Sequence, residues 1–252
     1  MTPLKQLYFL VKKSSSIIMA LLLIMAQAQA SVTLVGTRVI YPADAKFVNL
    51  NFRSPDQVPS IMEVWASLQD TPSSSSQNAD APFVVMPQVF RIDPMQGQVA
   101  KLTFTGADLP QDRESLFYLN FVQLPATKSD LQSKNKLLVS YKSTVKVFYR
   151  PKSLKSDPNK ALSQLKIDAG KLSAGTIKVI NPTEYHITVN SIEFKQQGQR
   201  LLTLPAKTVP MIAPFSEQHI SVKPTKINLA ASIATLQIIN DLGGISTVDI
   251  KL

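Results

Sequence analysis

Few residues in this chain could carry covalent chemistry. His186 and His219 are the only histidines and there is no cysteine. No Gly-rich phosphate loop, His-x-x-x-His pair or Gly-x-Ser-x-Gly turn occurs. Thiol nucleophiles and Cys–zinc sites are therefore excluded, and no residue set supports a metal or a cofactor. Asp112 and Glu114 form the one close carboxylate pair, a weak basis for hydrolysis. What remains is binding chemistry. Scattered lysines and arginines can hold carboxylates through charge-assisted hydrogen bonds. A second kind lies in residues 136–151, KLLVSYKSTVKVFYRP, which read as one long β-strand. Leu137, Val139 and Tyr141 alternate with Leu138, Ser140 and Lys142, and the run continues through Val145, Val147 and Tyr149. Neither Gly nor Pro interrupts it before Pro151. An apolar strand of this length at a sheet edge offers unpaired N–H and C=O groups to another chain.

The rest of the sequence must position that strand. Of 252 residues, the first thirty read as a secretory leader. Lys5, Lys12 and Lys13 precede an apolar core at 17–25, and Ala28-Gln29-Ala30 forms a small-x-small cleavage site before Ser31. The apolar core is too short for a stable anchor, and no later run is long enough for membrane insertion. Loss of the leader's three lysines lowers the formal charge of +10 by three. The remaining excess suits an anionic or carboxylate-bearing partner; export and the scatter of the lysines argue against nucleic acid. An exported chain without cysteine is not a disulfide scaffold and must rely on ordinary cores. These features fit the periplasm.

Alternation at period two dominates the mature sequence. Strands are expected at 32–41, 47–53, 59–68, 83–92 (broken by Pro87), 101–104 and 116–124, followed by the long strand. Val48, Leu50 and Phe52 share one face of the second, and Trp65 on the third reads as core filler. Residues 70–82 (DTPSSSSQNADAP) and 126–135 (ATKSDLQSKN) read as polar loops. About seven strands with regular turns describe an immunoglobulin-like sandwich. Residues 151–159 (PKSLKSDPN) break the composition as a linker does. Further strands are expected at 165–168, 176–180, 185–194, 201–204, 219–222, 233–240 and 245–252. Asn181-Pro182-Thr183-Glu184 reads as a turn and Asp241-Leu242-Gly243-Gly244 as a hairpin turn. The expected fold class is all-β: two immunoglobulin-like β-sandwich domains after a cleaved signal peptide. The expected boundaries are 1–30 for the leader, 31–151 for the N-terminal domain and 152–252 for the C-terminal domain.

Residues 109–126, LPQDRESLFYLNFVQLPA, resemble the signature of the periplasmic chaperones that assemble chaperone–usher pili. Leu109, Pro110, Asp112, Arg113, Glu114, Ser115, Leu116, Tyr118, Asn120, Leu124, Pro125 and Ala126 match. Phe121 stands where that family has an aliphatic residue, a packing variation. Segments 36–42 (GTRVIYP), 82–94 (PFVVMPQVFRIDP), 145–151 (VKVFYRP), 181–185 (NPTEY) and 239–244 (INDLGG) extend the likeness over nearly the whole mature chain. The short 126–135 loop and the absence of cysteine resemble the family's short-loop branch.

The resemblance implies two immunoglobulin-like domains set as a boomerang around a cleft. Arg38 and Lys146 would anchor the C-terminal carboxylate of a pilus subunit. Leu137, Val139 and Tyr141 would form a donor strand filling the subunit's groove by β-strand addition. Tyr141 departs from the usual aliphatic residue, and its hydroxyl needs a partner or water when buried. Glu114, Arg150 and Asp241 would form interdomain ion pairs. The implied activity is non-enzymatic: binding subunits, preventing their aggregation and delivering them to an outer-membrane usher. Whether the free chain self-associates is left open by the sequence; a dimer would cap the exposed strand. Two other classes stay open. A structural or adhesive two-domain β protein of the cell surface would usually carry a donor strand at its own N-terminus. An exported hydrolase would need more histidines or motifs than are present.

Overall fold

The computed structural model describes residues 31–70, 80–125, 140–224, 227, 229 and 232–252. The leader at 1–30, the loop at 126–135, and Leu137 and Val139 of the expected donor row lie outside the described residues. The first sandwich contains β1 (Thr33–Leu34), β2 (Arg38–Pro42), β3 (Val48–Arg53), β4 (Ser60–Ser67), β5 (Phe83–Met86), β6 (Val89–Ile92), β7 (Gly97–Phe104), β8 (Ser115–Pro125) and β9 (Tyr141–Arg150). They form a four-stranded sheet, β1-β3-β7-β5, and a five-stranded sheet, β2-β9-β8-β4-β6. The pairing of β2 with β9 is parallel; the other pairs of this sandwich are antiparallel.

Period-two patterning explains the core. Leu50 and Phe52 of β3 and Met62, Val64 and Ala66 of β4 point inward with Val147 and Tyr149 of β9. Phe121 fits here as well: its ring meets Phe52 edge-on, with centroids 5.4 Å apart. Full burial of each such aromatic contributes about 1.5–3 kcal/mol.

Two expected strands divide. Residues 32–41 split into β1 and β2, which belong to opposite sheets. The break falls at Gly36, whose φ of 104° lies where a side chain is strained. Residues 83–92 divide into β5 and β6 on either side of Pro87, the break expected there, since proline has no N–H to give a ladder. Trp65 is buried as expected but does not fill the core. It lies between Val64 and Ala66, whose side chains take the inward face, so its indole occupies the other face of the five-stranded sheet.

The second sandwich contains β10 (Lys166–Asp168), β11 (Thr176–Asn181), β12 (Thr188–Gln196), β13 (Gln199–Pro205), β14 (Ser216–Ser221), β15 (Ile233–Ile239) and β16 (Ile245–Lys251). The sheets are β10-β11-β14 and β13-β12-β15-β16, around a core of its own that includes Val179, Ile192, Phe194 and Leu236. At the end of the linker stretch, one helical turn, α1 (Pro158–Ala161), starts on an Asp157 cap that accepts from the Asn159 N–H. Asp followed by Pro is a helix-start signal. The β15–β16 turn is tied by the Asn240 side chain, whose Oδ1 accepts from the N–H groups of Leu242 at 3.1 Å and Gly244 at 3.0 Å.

Candidate functional site: two cations at the end of an open strand edge

The register of β2 against β9 sets Arg38 opposite Lys146. Neighbouring parallel strands thus hold two cations side by side. Among the described residues neither makes an ion pair. Arg38 Nη1 donates to the Ile239 carbonyl oxygen at 3.0 Å. The guanidinium lies over the Phe148 ring, 5.5 Å from its centroid, and Nε is buried with no acceptor. Burial holds the Arg38 pKa below the ordinary arginine value, partly offset by Asp241 and Glu114. Burial also lowers Lys146, the repulsion of Arg38 lowers it further, and Asp70 pulls the other way. Two half-buried positive groups thus stand side by side, and a carboxylate placed between them would stabilise the charge of both.

The strand edge beside these cations is only partly covered. β9 pairs with β8 from Tyr141 to Tyr149, but on its other side β2 begins only at Lys146. Among the described residues, no strand pairs with 141–145 of β9 on that side. Tyr141 opens the strand with 61 % of its surface exposed. Behind this edge Asn120 is fully buried: its Oδ1 accepts from Thr144 Oγ1 at 2.9 Å and its Nδ2 donates to Ser67 Oγ at 2.8 Å. These bonds fasten the half-paired part of β9 to β8 and β4.

A second cluster joins the two sandwiches. The Glu114 carboxylate, with 2 % of its side chain exposed, accepts from Arg150 Nε at 2.9 Å and Nη2 at 2.8 Å. Its other oxygen accepts from the His186 backbone N–H at 2.8 Å, and the Glu114 N–H donates to the Glu184 carbonyl at 2.9 Å. Arg150 Nη1 donates to Asp241 Oδ2 at 2.8 Å. Burial by itself would lower the Arg150 pKa, but the bonds to Asp241 and the charge of Glu114 outweigh it and raise the value. Arg150 thus contacts both Glu114 of its own domain and Asp241 of the other. Arg150 also lies over the Tyr185 ring at 5.0 Å, and the Tyr185 hydroxyl donates to the Ser156 carbonyl at 2.5 Å.

Sequence reasoning missed three participants. His186 is packed against Phe148, ring centroids 5.5 Å apart, with its Nδ1 3.5 Å from Glu114. Its position just after the NPTEY turn was the available signal. Arg113, from the first domain, stacks at 5.0 Å on Phe215 of the second. The Ile239 carbonyl is a backbone group and has no sequence signature.

Residues 31–155 match the family model described as pili and flagellar-assembly chaperone, PapD N-terminal domain. Residues 160–250 match the pili assembly chaperone PapD, C-terminal domain. The chain belongs to the PapD-type pilus-assembly chaperones. It is 32 % identical over 220 residues to the probable fimbrial chaperone YadV of Escherichia coli K12, spanning 85 % of this chain and 87 % of that one. It is 35 % identical over 201 residues to the chaperone protein HifB of Haemophilus influenzae, spanning 78 % of each. Among solved structures, the YadV chaperone superposes with a TM-score of 0.71 at 31 % identity, over 88 % of this chain and all of that one. The match to the Salmonella enterica complex of the SafA pilin with the SafB chaperone has a TM-score of 0.70 at 25 % identity, over 90 % of this chain and 99 % of that chain. Members of this family act by binding and not by catalysis.

Proposed function

We propose that this chaperone captures pilus subunits in the periplasm by lending them a strand and holding their C-terminal carboxylate, then delivers them to an outer-membrane usher. The observation that carries the reading is the coincidence of Arg38 and Lys146 with the place where the open edge of β9 ends. A subunit strand lying along residues 141–145 with its terminal carboxylate at the two cations must run parallel to β9, in the direction β2 already takes. Backbone bonds give sequence-tolerant affinity, and the apolar row gives complementarity. Leu137, Val139 and Tyr141 are the residues we assign to that row. Arg38 supplies directional donors and Lys146 a point charge. We assign Glu114, Arg150 and Asp241 to fixing the angle between the domains, a role in orientation more than in net stability.

A periplasmic location is supported by the family and by the leader-like residues 1–30; no helix among the described residues is long and apolar enough to cross a membrane. Domain boundaries at 31–151 and 152–252 are supported by the spans of the two family models. The test is co-expression with the pilins of the same fibre, followed by recovery of periplasmic complexes. Arg38→Ala or Lys146→Ala should abolish recovery while the chaperone stays folded. Normal recovery with both changes together would refute the anchor.

A further inference from the structure

Among the described residues, the second sandwich bonds to the proposed anchor from its β15–β16 hairpin, and that contact has a chemical consequence. β15 ends at Ile239, whose carbonyl takes Arg38 Nη1 at 3.0 Å. Two residues on, Asp241 takes Arg150. At the turn, Gly243 packs on Thr37, the residue immediately before Arg38. A Cβ on Gly243 would fall inside contact distance of Thr37 Oγ1 and 3.4 Å from Thr37 Cβ. The Gly243 φ of +82° is also one that a side chain disfavours. The hairpin therefore reaches Arg38 only because position 243 has no side chain. The exposed neighbour Leu242, 91 % accessible, makes no such demand.

A guanidinium presents its donors in a rigid planar fork. With Nη1 committed to Ile239, the Nε–Nη2 edge is the one left without a partner among the described residues, and Nε–H is already buried without an acceptor. That edge is a pair of parallel donors matched to a carboxylate. Without Ile239 the flexible arginine stem would have to be ordered at each capture.

We propose that the β15–β16 hairpin of the second domain positions Arg38 for the subunit carboxylate, with Gly243 as the positioning residue that allows the hairpin to seat. This rests on the carboxylate-anchor reading above. It makes the second domain part of the capture site, although it lends no strand.

The test uses the full-length chain and the pilus subunit that co-purifies with it, made with its native C-terminus and with a two-residue Gly-Ser extension that displaces the carboxylate. The readout is the ratio of native to extended subunit recovered in complex, with the melting temperature of each free chaperone measured alongside. Wild type should favour the native end by about tenfold or more, the range of a lost hydrogen bond to a charged group. Gly243→Ala should bring the ratio close to that of Arg38→Ala, near one. Thr37→Met imposes the same clash from the other side without a left-handed alanine, and it decides the matter should Gly243→Ala fail to fold. A folded Gly243→Ala or Thr37→Met that keeps the wild-type ratio overturns the proposal. A wild-type ratio near one sinks the anchor reading itself, which separates the two failures.

Discussion

Replacing Arg150 by Ala tests how the two sandwiches are held. The Glu114 carboxylate would lose both guanidinium bonds, at 2.9 and 2.8 Å, and keep the His186 N–H at 2.8 Å. Its side chain is 2 % exposed, so water cannot replace what is removed. Breaking a buried pair by deleting one member costs about 3–5 kcal/mol. The surviving backbone donor places the expectation near the lower end, about 3 kcal/mol. Asp241→Asn is the comparison. That side chain is 37 % exposed, and a half-solvated pair is worth about 0–1 kcal/mol. The two variants should therefore differ by about 2 kcal/mol although both break bonds to the same guanidinium. Urea unfolding followed by Trp65 fluorescence is the assay, because the chain has one tryptophan and it is buried in the first domain. With a slope of about 1–3 kcal/mol/M, the Arg150→Ala midpoint should fall by about 1–3 M. Equal losses for the two variants, or a loss below about 1 kcal/mol for Arg150→Ala, would show that burial of Glu114 does not set the energy.

Lys146 gives a pH-dependent outcome. Its folded pKa lies below the ordinary 10.5, mainly through burial and then through Arg38. The folded state thus binds fewer protons than the unfolded one between the lowered value and 10.5, so stability should rise with pH across that window. Lys146→Met should lack this rise in unfolding experiments, and subunit capture by wild type should fall over the same window as the ammonium is lost. Tyr141→Glu places a charge on a residue that is 61 % exposed in the free chain. Its unfolding free energy should stay within about 0.5 kcal/mol of wild type, while recovery of subunit complexes drops; a variant that unfolds instead would assign Tyr141 to the core.

Much of this architecture is legible in the sequence because strands repeat every two residues. Val48, Leu50 and Phe52 announce their face, and the pilus-chaperone signature at 109–126 contains Glu114 and Asn120. Where the reading went astray, a backbone event was responsible. At Gly36 the chain leaves one sheet for the other, and nothing in the alternation of 32–41 marks the change. Trp65 reads as core because aromatic residues usually are, yet the parity of β4 sends Met62, Val64 and Ala66 inward and the indole outward. The pairing of Arg38 with Lys146 joins positions more than a hundred residues apart. Only the parallel register of β2 on β9 brings them together, and the signature itself contains neither residue. His186 carried only the faint signal of its place after the NPTEY turn, because a lone histidine says little by itself, and the Ile239 carbonyl is beyond any pattern because every residue has a carbonyl.

The parallel strand β2 has one more consequence. Backbone pairing alone is indifferent to sliding, and a shift of one residue turns every side chain of a strand to the opposite face. A bare edge would let a guest strand slip along β9 and settle in several alignments. β2 occupies the same lane of that edge from Lys146 onward, so a guest advancing in the proposed direction meets the start of β2 as a terminus. Five open residues at about 3.3 Å each give it roughly 17 Å of described track. The cations then act as a stop at which only a chain that ends there can be satisfied. A chaperone that accepts many sequences along its edge can in this way measure one thing accurately, the place where its client finishes.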